Sequence, residues 1–180
     1  MATAFKGLVM RSGKISFMKL SSETGTGYKR MTHFTEMNKS MNPQEYSRNY
    51  VDIPSEVTDV TGYSPNISFA FDRYQGDEVQ EDIIKVFDNE DTGTDAVREI
   101  LTVDMTTKTG AGQYKGLLRK YSIIPDSEGD GTDAYTYSGS FTSNGEQTKV
   151  DCTLNEDETE ATVVTQAAAF SEETRSGRYR

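Results

Sequence analysis

Apolar and polar residues alternate with a period of two along much of this chain, the pattern of strands that bury one face. In residues 14–20, Ile15 and Phe17 share a face. Residues 66–71 place Ile67, Phe69 and Phe71 together, and Leu101, Val103 and Met105 alternate with Thr102 and Asp104. Tyr135, Tyr137 and Phe141 share another face, as do Val150, Cys152 and Leu154. One segment changes period. Val79, Ile83, Val86 and Phe87, with Ile84 beside them, recur at helical spacing. Asp77 is a good N-cap residue, and Gln80 stands where a capping box needs its second member. Glu78, Glu81 and Asp82 occupy the first turn, where the helix dipole favours acids. The pattern predicts a helix that ends near Asn89. Its single apolar stripe predicts that it lies on a sheet through Val79, Ile83, Val86 and Phe87.

Between these elements the chain is polar. Asn144-Gly145 sits between two alternating runs, a strong hairpin signal because both residues tolerate positive φ. It predicts that 134–143 and 146–154 pair antiparallel. Residues 38–49, with Asn42-Pro43, read as a loop between strand-like 29–37 and 50–53. Residues 125–133 read as an acidic turn. Residues 166–180 carry Arg175, Arg178 and Arg180 without a clear period and read as a C-terminal arm, flexible or ordered on assembly. No internal repeat is visible at periods of 20–50 residues. The whole reads as one domain of 180 residues.

Composition sharpens this. Leu, Ile, Val and Phe supply only 33 of the 180 residues, and the net charge is −10. That combination flags disorder. Against it stand ten Tyr and 41 β-branched Val, Ile and Thr residues, a strand-rich composition. The balance predicts a β-rich domain with a small core of its own, stabilised in part by neighbouring subunits. Charge is also segregated: residues 1–50 sum to +5 and residues 51–180 to −15. Such a chain can stack head to tail on copies of itself, although chance clustering on a solvated surface gives the same sums.

Several classes drop out. One cysteine excludes a disulfide framework and Cys-rich zinc sites, and one histidine excludes multi-His metal sites. No run of 18 apolar residues suggests a membrane span, and residues 1–13 lack the apolar core of a signal peptide. The expectation is a cytoplasmic protein without a membrane partner. The acidic balance argues against wrapping around nucleic acid, though not against a surface that DNA passes without sticking.

Candidate chemistry is weak. Asp126-x-Glu128-x-Asp130-Gly131 resembles the start of a calcium loop, but Tyr137 stands where a bidentate Glu is needed. The glycines at 25, 27, 110 and 112 lack the spacing of phosphate loops and read as turns. His33 has no second histidine to work with and reads as a polar strand residue rather than a general base. Cys152 reads as a small buried residue, and the acidic run 155–160 as a solvated turn. No cofactor, metal or catalytic residue is expected, and the chain does not read as an enzyme.

The order of motifs carries more. Phe34-Thr-Glu-Met37 is followed by Asn38-Lys-Ser-Met-Asn-Pro-Gln-Glu-Tyr-Ser-Arg-Asn-Tyr-Val-Asp52 and Asp59-Val-Thr-Gly-Tyr-Ser-Pro-Asn-Ile-Ser-Phe69. Phe71-Asp-Arg-Tyr74, the helix, Asp95-Ala-Val-Arg-Glu-Ile100 and Val103-Asp104 come next. Tyr121-Ser-Ile-Ile-Pro125 and Tyr137-Ser-Gly-Ser-Phe-Thr-Ser-Asn-Gly145 complete the series. Together, over about residues 5–165, they resemble the major tail tube protein of tailed bacteriophages of Gram-positive hosts. No single motif is diagnostic; their order and spacing are.

The resemblance implies two packed antiparallel sheets, a sandwich or half-barrel, flanked by one helix. It implies stacked rings of six subunits that form a conduit for DNA. Partners would be further copies of the chain, a tape-measure protein, a tail terminator and baseplate or initiator proteins. The location would be the virion tail, after assembly in the host bacterial cytoplasm. The family's inter-ring contact loop falls on residues 38–49, with Asn42, Pro43, Tyr46 and Arg48 as contact candidates. Two alternatives remain open: the inner tube of a contractile tail or phage-like bacteriocin particle, and a monomeric surface- or carbohydrate-binding β-sandwich.

Overall fold

The computed structural model describes residues 7–108, 112–129 and 131–166. Strands β1 (Lys14–Met18), β2 (Gly27–Arg30) and β3 (Phe34–Ser40) come first, then β4 (Pro43–Arg48), β5 (Val57–Tyr63) and β6 (Asn66–Asp72). Helix α1 (Glu78–Asn89) precedes β7 (Val97–Asp104), β8 (Tyr114–Glu128), β9 (Thr136–Ser143), β10 (Thr148–Leu154) and β11 (Glu160–Gln166). Nine strands form one sheet in the order β10-β11-β2-β1-β7-β8-β9-β6-β3, and β4 and β5 form a separate pair. Because β10 also pairs with β8, six of the nine close into a barrel. This corrects the expected pair of packed sheets: the architecture is a closed barrel with β9, β6 and β3 continuing from one side.

The closure follows from β8. Along one edge β8 pairs with β7, from Asp104↔Lys115 to Val97↔Ser122. Along the other edge it pairs with β10 over residues 114–118 and with β9 over residues 121–128. Strands β9 and β10 therefore lie end to end along one strand, running in the same direction. The expected hairpin at Asn144-Gly145 does not exist. The chain kinks there without reversing, held by the Asn144 N–H on the Lys120 carbonyl at 2.8 Å. An Asn-Gly pair marks a place where positive φ is cheap, and Gly145 uses it at φ 131° for a bend.

Two cores result. Inside the barrel lie Ile15, Phe17, Tyr28, Leu101, Val103, Val150, Cys152 and Ala161. Gly116 is needed there, since a Cβ on it would come within 2.7 Å of the Leu101 side chain. The second core fills the space between α1 and the other face of β1 and β7, together with β8, β9 and β6. Its centre is aromatic: Phe69 stacks on Phe141 at 4.3 Å, and Phe71 on Tyr137 at 5.4 Å. Gly139 makes room, because a Cβ would stand 2.8 Å from the Phe69 ring. The two faces of β1 show the division: Phe17 enters the barrel and Met18 the helix-covered core.

The helix forms where its pattern predicts. Asp77 Oδ1 accepts the Val79 and Gln80 N–H groups, and Glu90 ends the helix in the left-handed region. Val79, Ile83 and Val86 are buried, and Phe87 meets Tyr137 edge-on at 5.2 Å. Gln80 does not complete a capping box. Its carboxamide accepts the Tyr74 N–H at 2.8 Å and donates to the Thr32 carbonyl, tying α1 to the β2–β3 corner. A buried ion pair anchors the other flank. Arg98 Nε donates to Asp82 Oδ2 at 2.6 Å, and the remaining carboxylate oxygen takes the Ser21 hydroxyl.

Other expectations need revision. Residues 29–37 are not one strand: β2 stops at Arg30, and His33 turns the corner at φ 59°. Residues 50–53 are a turn, and 125–128 belong to β8, with a register shift at Pro125. Pro125 is accommodated at that irregularity because it has no N–H to give to the ladder. The arm expected at 166–180 lies outside the described residues apart from Gln166, which ends β11.

Candidate assembly surfaces

Residues 38–49 are not a loop. Residues 38–40 finish β3 and residues 43–48 form β4, which pairs with β5 from Pro43↔Tyr63 to Arg48↔Val57. The result is a hairpin arm that forms a sheet of its own, apart from the nine-stranded one. Its base is closed by reciprocal hydrogen bonds. The Ser64 N–H donates to the Asn42 carbonyl at 3.1 Å, and Asn42 Nδ2 donates to the Ser64 carbonyl at 3.2 Å. Asn42 holds φ 43°, a conformation asparagine tolerates better than most residues. Along the arm, Arg48 donates to the Tyr46 hydroxyl at 2.8 Å, and Thr61 Oγ1 donates to the Gln44 carbonyl at 3.1 Å.

Every residue of β4 is exposed. Met41, Tyr46, Tyr50, Ile53, Val60 and Tyr63 all show large apolar surface, and Val51 at the tip is fully exposed. The arm carries Glu45, Asp52, Glu56 and Asp59 against Arg48 alone, so it is acidic as well as apolar. All four contact candidates, Asn42, Pro43, Tyr46 and Arg48, lie on it. Asn42 and Pro43 build the base, whereas Tyr46 and Arg48 present side chains. The sequence pattern missed β5 and the tip residues Tyr50, Val51 and Ile53. The missed signal was the density of apolar residues over 46–63 without a core-facing period.

A second feature is the corner at His33. Its ring stacks on Tyr74 with centroids 4.0 Å apart, and Nδ1 lies 3.4 Å from Asp77 Oδ2. The same Oδ2 accepts the Thr32 hydroxyl at 2.6 Å. His33 is thus a corner residue packed on the helix N-terminus, not the strand residue expected. An open hollow of about 410 Å³ beside it is lined by Lys29, Arg30 and Tyr74 among others. Lys29 forms ion pairs with Glu78 and Glu160 there, so its charge is spent within the chain.

Cys152 points into the barrel, fully buried, and its thiol is pushed up to about 11, first by burial and then by Asp151. Tyr28 reaches Glu99 Oε2 at 2.9 Å, and burial with that carboxylate raises its phenol well above the usual range. Both are packing groups by their surroundings. No helix among the described residues is long and apolar enough to cross a membrane.

No known protein family and no curated protein matches the sequence. Solved structures do. The SPP1 tail tube superposes with a TM-score of 0.63 at 14% identity, covering 79% of this chain and 78% of that one. A chain of the anti-feeding prophage baseplate covers 81% of this chain and 97% of its own, with a TM-score of 0.48 and 3% identity. With the barrel, the flanking helix and the extra strands in place, the chain has a tail-tube-like fold.

Proposed function

We propose that this chain is a structural subunit of a phage tail tube, built from stacked hexameric rings around a lumen through which DNA reaches the host. The observation that carries the reading is the β4–β5 arm on a tail-tube-like body. A lone two-stranded hairpin is marginal in water. One that exposes Tyr46, Tyr50, Val51, Ile53, Val60 and Tyr63 gains its stability from a surface it meets elsewhere. In a stacked tube that surface belongs to the next ring, and the arm is the inter-ring contact.

The net charge of −10 suits a conduit. An acidic wall repels phosphate, and with a Debye length of about 8–10 Å the effect stays close to the wall. The reading assigns no catalytic step, cofactor or metal. A tape-measure protein, a tail terminator and baseplate proteins are the partners it implies, and the virion tail is the location.

The test is negative-stain electron microscopy of the purified chain over a range of concentration and salt, with light-scattering mass on the same samples. Rings or hollow tubes are expected. A chain that stays a compact monomer throughout, with and without an initiator complex, would sink the reading.

A further inference from the structure

The seam between β9 and β10 holds the one asparagine of the chain that precedes a glycine, Asn144 before Gly145. Ser143 still pairs with Tyr121 and Thr148 with Leu118, so residues 144–147 cross the seam outside either ladder, and all four are exposed. Among the described residues the Gly145 N–H has no hydrogen-bond partner. Gly145 holds φ 131°, and a Cβ built on it would meet only Lys120, at 4.0 Å, so the space around it is open. The Asn144 carboxamide is held by one hydrogen bond, from Nδ2 to Ser122 Oγ at 2.9 Å. A single exposed bond of this kind contributes about 1 kcal/mol, too little to keep the side chain from other rotamers. Other asparagines lack this combination. Asn42 precedes Pro43, which has no N–H, and Asn66 lies within β6 between two paired strands. Asn155 Oδ1 is held by the Thr159 and Glu160 N–H groups at 2.8 and 3.0 Å.

A free backbone N–H beside an unhindered carboxamide is a pair of reactants. We propose that Asn144 is a site of spontaneous deamidation and isoaspartate formation, and that the change loosens the barrel at this seam. The Gly145 nitrogen gives its proton to hydroxide and bonds to Asn144 Cγ. The Cγ–Nδ2 bond breaks, and ammonia leaves with a proton taken from water. The resulting succinimide takes up one water. Opening at one carbonyl gives aspartate at position 144. Opening at the other gives isoaspartate, in which the main chain runs through Cβ and Cγ. Either product adds a negative charge and removes the Nδ2 donor from Ser122. The new carboxylate borders the hollow of about 470 Å³ that Asn144 shares with Lys19, Glu99 and Lys120, and there it competes with Glu99 for Lys120. Isoaspartate also lengthens the main chain by one atom where β9 and β10 meet. Strand β10 closes the barrel on β8 and carries Val150 and Cys152 into its core, so a slack seam weakens that closure. The inference concerns a single copy and holds with or without a tube.

The experiment ages the purified full chain at neutral and at alkaline pH, then digests it with trypsin. The peptide 121–149 contains Asn144 and no other asparagine. It should gain the mass difference between a carboxamide and a carboxylic acid about tenfold faster than any other asparagine-bearing peptide, because glycine alone leaves the attacking nitrogen unhindered. The rate should rise with hydroxide, and isoaspartyl methyltransferase should methylate that peptide. Asn144→Gln keeps a carboxamide at this exposed position but needs a larger, slower ring, and should show neither change. Iodoacetamide should then label Cys152 in the aged wild type at least threefold faster than in fresh protein, and no faster in aged Asn144→Gln. If the folded chain keeps Asn144 while the chain unfolded in guanidinium loses it, the seam protects the site and the proposal falls. Modified protein in which Cys152 labels at the fresh rate overturns the loosening.

Discussion

In β7 of the body, Leu101 and Val103 face the barrel while Ile100 faces the helix-covered core, so the strand is packed on both sides. In β4 of the arm, every residue is exposed. The same chain thus contains strands covered on two faces and strands covered on none. The difference shows where stability resides. The body encloses its apolar surface within one copy. The arm keeps comparable side chains in water.

Mutations can break this contrast, beginning with the largest effect. Phe17→Ala empties the middle of the barrel and should cost about 3–5 kcal/mol in denaturant unfolding. Arg98→Ala strands the buried Asp82 carboxylate and should cost about 3–5 kcal/mol, with much of the loss recovered in the Asp82→Asn/Arg98→Met double variant. Asp77→Ala removes the cap of α1 and the partner of Thr32, and should cost about 1–2 kcal/mol. The triple change Tyr50→Ser, Val51→Ser, Ile53→Ser should move monomer stability by less than about 0.5 kcal/mol while abolishing self-association in sedimentation velocity. A large loss of monomer stability in that variant would mean that the arm belongs to the body's cooperative unit. The smallest effect is a silence. With a thiol near 11 inside the barrel, about one Cys152 in a thousand is thiolate at pH 8, so iodoacetamide should label it only as fast as the barrel opens.

Legibility in the sequence followed the same division. Strands β1, β6 and β7 and helix α1 were readable because a buried face imposes a period on Ile15 and Phe17, on Ile67, Phe69 and Phe71, and on Val79, Ile83 and Val86. Residues 38–49 read as a loop, and β5 leaves no strand pattern, because no core imposes a period on Tyr46, Val57 or Val60. The contact candidates Asn42, Pro43, Tyr46 and Arg48 all lie on this hairpin, whereas β5 and the tip carry none of them. The Asn144-Gly145 bend was misread for another reason. Local φ preference says that a chain can turn there, whereas β8, 15 residues long, offers room for two partners in line. Closure of the barrel depended on that length, which residues 125–128 disguised with Pro125, Asp126 and Glu128.

The long strand has a mechanical consequence. At about 3.3 Å per residue, β8 spans roughly 50 Å, and it is laced to β7 on one edge and to β10 and β9 on the other. A pull directed along it loads those hydrogen bonds in shear, all at once, rather than peeling them one after another. Both cores hang on this one rail, so tension carried along it passes from the barrel at residues 114–118 to the helix-covered half at residues 121–128.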